Sequence, residues 1–97
     1  MLIVDIDKDD NLTAFVECPP YNWKIIEYYW DNKLKHRTIN DRKNDDGVKV
    51  IPIFTLNVKN EKDKHILKAI IILDNQEKIE LTQDFSFNYV IIKRNEY

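Results

Sequence analysis

Apolar side chains recur at every second position in one segment after another, and this period restricts the fold more than any other feature. Leu2, Val4 and Ile6 share one parity, and Leu12, Ala14, Val16 and Cys18 share the next. Ile26, Tyr28 and Trp30 follow, with Ile25, Glu27 and Tyr29 on the alternate parity. Ile79, Leu81, Phe85, Phe87, Tyr89 and Ile91 close the series across one long strand, with a bulge expected where Gln83 interrupts it. A repeat of two places alternate side chains on opposite sides of a pleated strand, whereas a helical stripe repeats at about 3.6.

Turn signals separate these segments. Asp7 to Asn11, Asp31 to Lys33, Asn60 to Lys64 and Asp74 to Glu77 are short and polar, and Asn40 to Gly47 is the longest polar run. Pro19 and Pro20 end the second segment, because neither can donate to a ladder. Leu34 to Ile39 reads as a polar edge strand, its Lys and Arg side chains deterring edge-to-edge pairing. Val48 to Val58 reads as a strand with Pro52 at an edge or bulge. Ile66 to Leu73 is apolar on both parities apart from Lys68, the mark of a central strand covered on both sides. About seven strands with turns between them predict an all-β, immunoglobulin-like antiparallel β-sandwich. It occupies residues 1–92 as one domain, with 93–97 as a solvated tail.

Composition narrows the function. The single glycine, Gly47, deprives the chain of the usual phosphate-cradling loops, nucleophile elbows and dinucleotide folds. Fifteen basic against 17 acidic residues give no electrostatic reason to expect nucleic acid or an anionic membrane as partner. One cysteine excludes an internal disulfide, which favours a reducing compartment. No signal peptide is visible, and the longest apolar run, Ala69 to Leu73, is far short of a membrane span.

Leu12-Thr-Ala-Phe-Val-Glu, followed by Ile26-Glu-Tyr-Tyr-Trp-Asp-Asn, resembles the second and third strands of immunoglobulin-like and PKD-like modules. Ala69-Ile-Ile-Ile-Leu-Asp-Asn-Gln resembles their penultimate strand and its hairpin. The pair of cysteines that bridges many such sandwiches is missing, as is a tyrosine corner. The resemblance implies an adhesive or structural module, of the kind that serves phages as capsid or tail decoration.

Sites of chemistry are weaker. Asp5, Asp7 and Asp9 are spaced like the start of a calcium loop, but Asp10 stands where that loop wants glycine and no glutamate falls at the twelfth position. A solvated turn is the preferred reading, and no metal or other cofactor is expected. Cys18 with His36 or His65 could form a nucleophilic pair, but the parity of Cys18 predicts a buried, inert thiol. Glu27 lies between Ile26 and Tyr28 and is expected to point outward from its strand.

The strongest local feature is aromatic. Tyr21, Trp23 and Tyr29 fall on the parity opposite the core and are expected to be exposed contact anchors. Lys33, Lys35, His36, Arg37, Arg42 and Lys43 form a local basic stretch diluted by Asp31, Asp41, Asp45 and Asp46. Candidate protein-contact residues are therefore Tyr21, Trp23, Tyr29, Arg37, Arg42 and Lys43. The expected role is a non-enzymatic accessory protein binding other proteins, virion or capsid subunits first among them, with no nucleic acid, membrane or small-molecule substrate. Its place would be the virion or the cytoplasm of the infected bacterial cell. The alternatives are a small phage-type inhibitor of a host protein and a surface adhesion or carbohydrate-binding module.

Overall fold

A computed structural model describes residues 1–40 and 53–87. They form seven strands: β1 (Leu2–Ile6), β2 (Asn11–Val16), β3 (Trp23–Trp30), β4 (Lys33–Ile39), β5 (Ile53–Asn57), β6 (Lys64–Leu73) and β7 (Lys78–Ser86). β1, β2 and β5 make one sheet in that order, and β4, β3, β6 and β7 make the other. Every pairing is antiparallel. Among the described residues no helix is long and apolar enough to cross a membrane.

Among the described residues, turns are built without glycine. Asp31 and Asn32 both adopt positive φ (50° and 66°) in the two-residue link between the paired residues Trp30 and Lys33. That conformation matches the twist of the strands it joins, and Asp and Asn tolerate it best after glycine. The β1–β2 and β6–β7 links each place one residue in the left-handed region, Asp10 (φ 63°) and Gln76 (φ 71°). Main-chain bonds from Asp10 to the Asp7 carbonyl (3.1 Å) and from Gln76 to the Leu73 carbonyl (2.9 Å) hold them. The Asp7 carboxylate is used locally, accepting the N–H groups of Asp9 (2.8 Å) and Asn11 (3.0 Å). The bond from the Asn11 main chain, first among these causes, holds the Asp7 carboxyl below its ordinary range. Of Asp5, Asp7 and Asp9, Asp7 is thus the turn-former while Asp5 lies within β1, and among the described residues no group of three or more His, Cys, Asp or Glu side chains is placed to hold a metal ion.

The core lies between the sheets. Leu12, Ala14, Val16, Phe54 and Val58 meet Trp23, Ile26, Tyr28, Trp30, Leu67, Ala69, Ile71 and Leu73. Two alanines make the central layer possible. Ala14 is paired with Phe54 and Ala69 with Tyr28, so each ring lies beside a small neighbour on its own sheet. The two rings then stack across the sheets at 5.5 Å, tilted by only 18°. Burial of each such large side chain contributes about 1.5–3 kcal/mol. It also pushes the Tyr28 phenol up to about 12, against the hydrogen bond from the Val16 main chain.

Several expectations need correction. β2 ends at Val16: Glu17 still donates its N–H to the Met1 carbonyl (2.8 Å), but Cys18 turns into the left-handed region at φ 50° and breaks the extended run. Parity is lost there, and Cys18 is exposed. β7 passes Gln83 without a bulge, pairing residue for residue with β6 from Lys78 to Ser86. The Asn40–Gly47 loop past its first residue, Val48 to Pro52, and Tyr89 to the 93–97 tail lie outside the described residues.

Candidate contact surface

The solvent side of the four-stranded sheet is where the candidate residues converge, and β3 organises it. Residues paired across antiparallel strands share a face. Ile25 is paired with Ile39 on β4 and Ile72 on β6, which sets three isoleucines in one row. In the next row Glu27 lies between Arg37 and Ile70, and beyond Ile70 is Glu80. In the third row Tyr29 lies between Leu34 and Lys68. Ile39 is 61% exposed and Leu34 46%, while Ile25, Ile70 and Ile72 are half-buried.

At the centre is a carboxylate that points outward and yet is only 6% exposed. The Arg37 guanidinium reaches across from β4 and places Nε and Nη2 at 2.8 and 2.6 Å from Glu27 Oε2. The Tyr29 hydroxyl donates to Oε1 at 3.2 Å. Burial, and then the negative charge of Glu27, raise the Tyr29 phenol above its ordinary value, so it remains a donor at neutral pH. Lys68 adds a second ion pair to Glu80 at 3.1 Å. The patch is thus apolar at its upper row and charge-compensated at its middle.

The expected contact residues divide. Tyr29 and Arg37 come together on Glu27. Tyr21 is 94% exposed but stands apart, in the turn before β3. Trp23 is a core residue, 7% exposed, and not a surface anchor. The cause is a bulge: Trp23 pairs with Leu73 and Ile25 with Ile72, so Lys24 is an extra residue that turns Trp23 onto the face of Ile26 and Tyr28. The chain holds the bulge in place with Asn40, whose side chain donates to the Trp23 carbonyl (3.0 Å) and whose N–H donates to the Lys24 carbonyl (2.9 Å). Arg42 and Lys43 lie outside the described residues.

Sequence reasoning missed Glu27 as the hub and the isoleucines around it. A signal was available, since Ile66 to Leu73 is apolar on both parities. Its inner residues Leu67, Ala69, Ile71 and Leu73 are buried, whereas Ile66 is 48% exposed and Ile70 and Ile72 remain half-buried. Among the described residues, cover is present on one side of this strand only.

A scan against protein-family models finds no match, and searches of curated proteins and of solved structures find none either.

Proposed function

We propose that this chain is a non-enzymatic contact domain that binds another protein through the outer face of its four-stranded sheet. The observation that carries the reading is the solvent-facing row of half-buried Ile25 and Ile72 and exposed Ile39, set beside a Glu27 whose charge is already compensated by Arg37 and Tyr29. Such a face loses water at low electrostatic cost, since its central carboxylate is desolvated before any partner arrives. Tyr and Arg are also the residue types that dominate binding energy at protein interfaces.

The finer assignment follows the strand order. β1-β2-β5 beside β4-β3-β6-β7 supports an immunoglobulin-like sandwich in which β3, β6 and β7 take the places of strands C, F and G and β4 is added beside C. On that reading the chain is a phage capsid or tail decoration protein, and the partner is a virion subunit. The test is co-sedimentation with particles from the native source, using the double variant Ile39→Glu with Ile72→Glu. The expected result is a folded variant, by circular dichroism and thermal melting, that no longer sediments with particles. Wild-type binding by the folded double variant would remove this face from the proposal. A one-to-one complex with a host protein, in place of many copies per particle, would favour the inhibitor alternative.

A further inference from the structure

His65 is the second residue of β6, and its half-buried ring has a partner at each nitrogen and aromatic rings against it. It stacks on the Trp30 indole with centroids 5.0 Å apart and planes 14° from parallel, and Phe87 leans on it at 5.7 Å. Nδ1 is 2.5 Å from the Asp31 carboxylate oxygen Oδ2. Nε2 is 2.6 Å from the Lys62 carbonyl oxygen, with Glu61 Oε2 at 3.4 Å.

Both ring nitrogens therefore face oxygen atoms that only accept. A neutral imidazole carries one N–H, so one contact would set a nitrogen lone pair against an oxygen lone pair. Only the imidazolium satisfies both. Asp31 is itself fixed to the same strand, donating its N–H to the Ile66 carbonyl and accepting the Ile66 N–H at Oδ1, each at 3.0 Å. The ring of His65, 34 residues after Asp31, thus ties the β3–β4 turn to the connection before β6.

We propose that His65 is a proton-operated latch whose imidazolium form clamps these two segments together and whose neutral form releases them. Among the described residues, the charges that act on the ring are the carboxylates of Asp31, on the β3–β4 turn, and Glu61, on the connection before β6, and both favour the proton. Lys33, the first residue of β4, acts on Asp31, and Lys62 and Asp63 adjoin the ring in sequence on the connection before β6. Lys64 flanks the ring on its own strand, and Asp84 of β7 lines the trough beside it together with Ile66, Phe85 and Ser86. Burial disfavours the charged ring, but the bonds to Asp31 and Lys62 and the charges of Asp31 and Glu61 outweigh it, and the His65 pKa is raised above 6.5. The bond from His65, first among its causes, correspondingly lowers Asp31 below its ordinary range. A raised folded-state pKa gives stability that is complete below the unfolded value and is lost as pH rises through the folded one. The latch is closed in mild acid and opens toward alkaline pH.

The test is nuclear magnetic resonance of the full chain across about pH 5 to 9, reading the ring nitrogens of His65 and the amide protection of Ile66 and Phe87. Phe87 reports because its N–H donates to the Asp63 carbonyl at 3.0 Å, on the clamped connection. The expected result is a doubly protonated ring with a midpoint above 6.5, and a loss of at least about tenfold in Ile66 and Phe87 protection across that midpoint, after correction for intrinsic exchange. Leu67, one residue further into the sheet, should keep its protection. His65→Gln should remove the pH dependence, but the wild-type measurement decides even if that variant unfolds. A single neutral tautomer at about pH 6, or protection that ignores the His65 midpoint, would overturn the proposal.

Discussion

The two faces of the four-stranded sheet use much the same residue types to opposite ends. Inward, Ile26, Tyr28, Leu67, Ala69 and Ile71 are almost completely buried, at 2% exposure or less. Outward, Ile25, Ile39, Ile70 and Ile72 surround a charged pair and keep part of their area in water. The difference lies in what faces each side. The inner face meets a second sheet, where Phe54 stacks on Tyr28. The outer face holds itself together with side chains that reach across strands, and among the described residues nothing is packed on top of them. Hydrophobicity alone does not separate core from surface here, whereas packing partners do.

Four experiments sharpen this contrast, in order of expected effect. Tyr28→Ala on the inner face should cost about 3–5 kcal/mol in chemical denaturation, because it opens a cavity beside Phe54 that Ala69 cannot fill. A loss below about 1 kcal/mol would show that the inner layer is loosely packed. On the outer face, Arg37→Ala should cost about 2–3 kcal/mol, since it leaves Glu27 buried with only the Tyr29 hydroxyl to satisfy it. Glu27→Ala should cost only about 1 kcal/mol, because the Arg37 left behind is half exposed and regains water. Equal losses would mean that Glu27 is as well hydrated as Arg37. Lys68→Ala, which removes an exposed pair, should change stability by about 0–1 kcal/mol and become silent in high salt.

Titration offers a further contrast between the faces. Tyr28 is held protonated up to about 12, against an ordinary 10.0. Its folded-state pKa is raised, so its contribution is complete below about 10 and is lost as pH climbs through about 12. Absorbance at the phenolate band should show Tyr28 ionising only as the fold is lost. Ionisation of Tyr28 with the fold intact would contradict its burial.

Local features were legible in the sequence, and those set by distant partners were not. The alternation at Leu12–Val16 and Ile26–Trp30 marked strands and their inner faces correctly, because each residue's direction follows from its neighbours, whereas Ile66 to Leu73, apolar on both parities, marked a strand and not which of its faces is inner. Asp31-Asn32 and Asp74 to Glu77 were equally visible as turns. Trp23 was misplaced because parity assumes an unbroken ladder, and the extra residue Lys24 is stabilised by Asn40, 17 positions away from Trp23. Glu27 was read as an outward residue, which is right in direction. Its burial depends on Arg37 crossing from the next strand, and no local pattern contains that contact. His65 escaped for the same reason, since its acceptors arrive from two separate turns. The bulge expected at Gln83 rested on a polar residue in an apolar series, yet a polar side chain at a sheet edge needs no irregularity to reach water.

The scarcity of glycine has a consequence for how the chain can change. Positive φ is adopted by Asp10, Cys18, Asp31, Asn32, Asp63 and Gln76, all residues that bear a β-carbon and prefer other conformations. Each bend is therefore held slightly uphill by the strands on either side of it. The hairpin tips are thus places where a single replacement could relax the backbone without touching either sheet, leaving the chain free to absorb a costly change elsewhere, on the face it turns toward its surroundings.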